Sequence, residues 1–204
     1  MKKASVSTGK LVRLAVLVAI LLIMCFTPLG RLQVGPVFIT FNMVPVVIGA
    51  VILGPGSGAI LGGIFGLWSF STCFGTDAMG TILLGINPFF TFIMCFVPRV
   101  LAGWLPGLVF RAFRRTKLDP VVGAVVTCFL GSAFNTVFFI TALWGLFGQT
   151  DIVQSLGANL WAIFALLVGT NAIIEAAVAT VAGAGISRAM LRFVPERKKL
   201  KGAN

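Results

Sequence analysis

The chain of 204 residues has no histidine and no tyrosine, and only five of its residues are acidic. Without histidine it lacks the commonest metal ligand and the side chain that most often moves protons near neutral pH. Only one carboxylate, Glu175, falls inside an apolar segment, so no paired acid and base is visible. The four cysteines, Cys25, Cys73, Cys95 and Cys128, are scattered through apolar stretches without CxxC or metal-ligand spacing. They read as small hydrophobes. A phosphate-binding loop is missing too, because Ser7-Thr8-Gly9-Lys10-Leu11 has neither the leading glycine nor a Ser or Thr after the lysine. No catalytic residue, cofactor or metal is expected, and any ATP-derived energy must come from a partner.

Apolar residues, by contrast, make up 58% of the chain and charged ones 10%, with a mean hydropathy of +1.06. A soluble domain of this size cannot hide that much apolar surface, so the composition points to a polytopic membrane protein. Lys2 and Lys3 before an apolar run resemble a signal peptide, but no small-x-small cleavage site follows. The run is therefore expected to be a retained helix. The net charge of +11 sits in clusters flanking apolar runs, which argues for membrane borders and against nucleic acid.

The expected fold is all-α and integral to the membrane, one domain over 1–204 with six spans near 11–27, 43–53, 57–74, 88–113, 120–147 and 158–192. A basic tail covers 193–204. Val37-Phe38-Ile39-Thr40-Phe41 suggests a short extended segment in the first external loop. The second span is short for a full crossing, so part of that loop is expected at membrane depth, against protein. Gly58, Gly62 and Gly66 recur every four residues in the third span, a smooth stripe for close helix packing. The stretch 75–86 reads as a polar loop, and 148–157 as another. Asn87-Pro88 and Asp119-Pro120 each place a good cap before a proline at the first helical position.

With an inside N-terminus, three inner segments hold all but two of the sixteen Lys and Arg residues, the exceptions being Arg31 and Arg99. The positive-inside rule then puts both termini in the cytoplasm of a cell-membrane protein.

Arg99 is the anomaly. It lies twelve residues before Arg111, about 18 Å above the inner basic border. Glu175 lies thirteen residues before Arg188, about 20 Å above it. A charge at mid-membrane persists only with a polar partner or a ligand. Pro98 frees the carbonyl of Met94 and offers one acceptor beside Arg99. Asn87 and Thr91 enter from the outer end of the same span, while Asn135 and Thr136 are level with Asn171. Asn42 and Asp77 belong to the loops above them. These residues, with Trp68 and Phe89, outline a chamber open to the outside, and the inner half is apolar. Two plainer readings stand beside it. Arg99 and Glu175 form a buried ion pair that fixes two helices, or the asparagines and aromatics serve helix packing alone.

Three stretches carry a family likeness: Pro45 to Ala50 leading to Gly54-Pro55 and Gly58, Gly85-Ile86-Asn87-Pro88 to Pro98-Arg99, and Thr170-Asn171 with Glu175. With the length and topology, they make the chain similar to the substrate-binding (S) subunits of energy-coupling factor (ECF) vitamin transporters, with pantothenate-type members the nearest. The resemblance implies a subunit that binds a water-soluble vitamin and delivers it by toppling within a complex. Its partners would be a transmembrane coupling subunit, two cytoplasmic ATPases and membrane lipid. It also implies a docking patch on the first helix, matched by Ala15 and Ala19. Pantothenate would use Arg99 as its counter-charge; riboflavin, folate or a thiamin-precursor pyrimidine are the alternatives within the class. A stand-alone secondary transporter or channel is the alternative outside it, though no inverted repeat is visible in the hydropathy.

Overall fold

The computed structural model describes residues 8–34, 37–114 and 120–155. Among them, the chain forms α1 (Thr8–Phe26), a single 3-10 turn at Pro28–Gly30, strands β1 (Arg31–Val34) and β2 (Val37–Thr40), and then helices. These are α2 (Met43–Leu53), α3 (Pro55–Thr72), α4 (Ala78–Ile86), α5 (Pro88–Phe113), α6 (Pro120–Phe147) and the short α7 (Asp151–Ser155). Three of them, α1, α5 and α6, are long and apolar enough to cross a membrane. The predicted span at 158–192, with Asn171 and Glu175, lies outside the described residues.

The first connection is a hairpin. Its strands pair antiparallel with Arg31 opposite Thr40 and Val34 opposite Val37. The ladder satisfies the backbone groups on the facing edges of the two strands, about half of those in the segment. It precedes α2, whose eleven residues span only about 16 Å.

The stretch 75–86, expected to be a loop, folds into α4. Asp77 is the reason: its backbone is extended, and its carboxylate accepts the Gly80 amide hydrogen at 3.4 Å as an N-cap. Glycines in a short segment, Gly75, Gly80 and Gly85, had masked the Asp77 cap. The loop expected at 148–157 likewise contains a helical turn, α7, which begins at Asp151.

Packing between α3 and α5 sets the frame. An added Cβ on Gly58 would collide with the Gly103 carbonyl, one on Gly62 with the Arg99 carbonyl, and one on Gly66 would press on the Phe96 backbone. The two helices thus run antiparallel in direct backbone contact along the glycine stripe, and Gly62 brings α3 onto the residue that carries the guanidinium. Helix α6 returns antiparallel to α5, with Gly123 near Phe110 and Gly131 near Pro106, and with the Phe147 and Phe90 rings 6.3 Å apart at the far end.

Two apolar clusters form the interior. One joins Leu21, Met43, Val46, Leu61, Phe65 and Ala102. The other, toward the Asn87 end, joins Cys73, Leu83, Met94, Cys95, Leu143 and Phe147. Outside them, Leu11, Val12, Val16, Ile20, Ile23 and Phe26 stand exposed on α1 alone. An apolar exterior of that extent suits lipid as the solvent.

Charge divides along the same axis. Lys10 and Arg13 lie against the Leu53 end of α2, and Arg111 approaches Gly54. Asp77 and Asp151 follow the opposite ends of α3 and α6.

Candidate functional site

Arg99 occupies the junction between the two apolar clusters, with 9% of its surface exposed. Its position follows from α5. Pro98 carries no amide hydrogen and so leaves the Met94 carbonyl without its i+4 donor. The Arg99 Nη1 donates to that carbonyl at 2.9 Å. The guanidinium carbon lies 4.6 Å from the centre of the Phe139 ring on α6 and 5.9 Å from that of Phe65 on α3. Ring faces attract a cation, by about 2 kcal/mol or more once water is excluded. The Nε atom remains buried with no hydrogen-bond partner among the described residues.

Around this centre the other candidates behave differently. Asn135 lies one turn before Phe139 on α6 and therefore on its face. It is half-buried, and its Oδ1 is enclosed without a hydrogen-bond partner among the described residues. An orphaned acceptor and an orphaned donor on neighbouring helices are what a small polar ligand would satisfy, since each left unpaired costs about 1–3 kcal/mol. Thr136 is half-buried beside it. Trp68 is partly buried and stacked on Phe65, with ring centres 6.1 Å apart.

Asn42 is wholly buried, and neither atom of its amide finds a partner among the described residues. It fills the space that the missing side chain of Gly30 leaves open. At the entrance of α5 the polar groups are already engaged. Asn87 Oδ1 accepts the Phe89 and Phe90 amide hydrogens, both at 3.1 Å, as the helix cap. The buried Thr91 hydroxyl donates to the Asn87 carbonyl at 2.9 Å. Phe89 points outward and is 67% exposed.

The structure thus brings Arg99 and the Asn135 face of α6 together with Trp68 close by, while Asn87 and Thr91 serve the helix start and Phe89 faces away. Sequence reading missed Phe65 and Phe139, the two rings that frame the guanidinium. The signal for Phe139 was its spacing of four from Asn135. Cys95, one turn before Arg99, meets Cys73 with their sulfurs 3.7 Å apart, closing the wall between α3 and α5.

On α1, Ala15 and Ala19 are both exposed, while Leu14, Leu17, Leu21 and Cys25 turn inward. The small-residue pair is therefore on the open face of the helix.

The sequence model of a family described as "ECF transporter, substrate-specific component" matches residues 9–186. A pantothenic acid transporter from Lactococcus lactis subsp. cremoris is 31% identical, over 94% of this chain and 97% of its own length. A pantothenate transporter from Leuconostoc mesenteroides subsp. mesenteroides is 28% identical, over 87% of this chain and 86% of its own length.

The cap role of Asn87 makes a separable prediction. Asn87→Ala should lower stability by about 1 kcal/mol, and Asn87→Asp, which keeps an acceptor, should restore it. Thermal unfolding in detergent reads both, and equal losses for the two variants would remove the cap from the account.

Proposed function

The chain belongs to the substrate-specific components of ECF transporters, and from that premise we propose that it binds pantothenate outside the cell and delivers it to an ATP-driven coupling module. The observation that carries the ligand is the buried Arg99 guanidinium, whose Nε has no hydrogen-bond partner among the described residues. A carboxylate fits a guanidinium in a two-point, charge-assisted contact. Both relatives are named for the same vitamin, whose carboxylate would take the counter-charge.

In this reading Met94, Phe65 and Phe139 hold the guanidinium in place, and the ligand completes its hydrogen bonds. Asn135 and Thr136 meet the amide and hydroxyls, with Asn42 at the rim and Trp68 against the dimethyl group. Asn171 and Glu175 complete the chamber from the sixth span, and Glu175 shares the charge of Arg99. Asn87 and Thr91 act through the shape of the α5 entrance, and Phe89, on the outward face of α5, stays outside the chamber.

The proposal places six spans in the membrane with both termini in the cytoplasm. The gathering of Lys10, Arg13, Arg111 and Arg114 at one end of the helices supports this orientation. The coupling subunit would dock on the open face of α1 through Ala15 and Ala19, with two ATPases beneath it.

Two measurements test the reading. Purified protein should bind pantothenate without ATP, and Arg99→Met should weaken that binding by about 30-fold or more. Its neutral alcohol analogue should lose less than about threefold. Equal losses for the two ligands would exclude the counter-charge. Ala19→Trp should abolish uptake in cells that co-express the coupling module while leaving binding intact; a normal uptake rate would remove α1 as the docking face.

A further inference from the structure

The end of the molecule away from Arg99 carries a cavity that vitamin binding leaves unused. Gly9, Lys10 and Arg13 of α1 and Ile52 and Leu53 of α2 line an open groove of about 240 Å³. Gly54 follows with φ +98, and a Cβ there would come within 3.1 Å of Arg111 Nη2, so α5 adds a third cation at its edge. All three basic side chains are exposed. The carboxylates of the described residues do not neutralise them. Asp77 lies beyond the far end of α3, an eighteen-residue helix about 27 Å long, and Asp151 begins α7 beyond the matching end of α6.

The groove is cationic on one side and apolar on the other. Ile52, 40% exposed, and Leu53 form its apolar wall. The last carbonyls of α2 end beside Lys10 and Arg13, an arrangement that suits cations and holds them there. A free inorganic anion would use only the cations. A molecule with a phosphate at one end and an alkyl chain at the other uses both surfaces.

We propose that this groove binds the phosphate headgroup of an anionic phospholipid. Lys10 and Arg13 contact the phosphate, Arg111 flanks it, and Ile52 supports the first carbons of an acyl chain. The site stands apart from the vitamin chamber and depends only on this end of the bundle reaching the membrane border.

The test uses the full chain in detergent with equal amounts of short-chain phosphatidylglycerol and phosphatidylcholine, and native mass spectrometry counts the lipid retained. Phosphatidylglycerol should be retained preferentially, and Arg13→Gln and Lys10→Gln should each reduce its retention about fivefold. Arg114→Gln removes one charge at the same end but outside the groove, and should leave retention unchanged. Equal retention of the two lipids overturns the proposal. So does an Arg114→Gln loss as large as that of Arg13→Gln, which would mean diffuse charge rather than a site. Displacement of the lipid by millimolar inorganic phosphate would assign the groove to a free anion and overturn it as well.

Discussion

Pro98 has no amide hydrogen, so the carbonyl of Met94 lacks its helical donor, and Arg99 supplies one from Nη1 at 2.9 Å. Two unfavourable features, a broken helical bond and a buried cation, thereby offset each other. The guanidinium is then fixed in direction as well as depth, with Phe139 on one face and Phe65 further off. A cation held by a carbonyl and aromatic rings keeps its charge available. One neutralised wholly by a protein carboxylate would not. Nε has no hydrogen-bond partner among the described residues.

The glycine stripe serves this interaction. Gly62 packs against the backbone carbonyl of Arg99 itself, and Gly58 against that of Gly103. Any side chain at Gly62 would push α3 off the turn that carries the guanidinium and loosen Phe65 with it. The packing of α3 on α5 and the position of the guanidinium therefore depend on the same residues. The opposite, cationic end is built differently, from long side chains at helix ends, and it tolerates an open groove.

How much was legible in the sequence depended on the kind of signal. The start of α5 was plain in Asn87-Pro88, since an asparagine cap followed by proline has a local mechanism that tertiary contacts do not override. Likewise, the Met94 carbonyl as a partner for Arg99 followed from proline chemistry alone. The α4 helix was hidden because its glycines outweighed the Asp77 cap in a short segment. The rings framing Arg99 were hidden for another reason. With nineteen phenylalanines in the chain, composition cannot say which two face a cation; that is decided by how α3 and α6 pack on α5. Thr91 and Asn87 were legible as polar groups near the chamber, but their engagement with each other and with the helix start is a matter of geometry. Asn171 and Glu175 lie outside the described residues, so the sixth-span wall of the chamber rests on sequence alone.

The central claim is that Pro98 positions Arg99 for the ligand by freeing the Met94 carbonyl. Pro98→Ala tests it most directly, because alanine restores the amide hydrogen that reclaims this carbonyl while the arginine remains. The account predicts that pantothenate affinity, measured by calorimetry on purified protein, falls about tenfold with thermal stability unchanged or raised. Affinity equal to that of the parent chain, in a variant of equal stability, would contradict it.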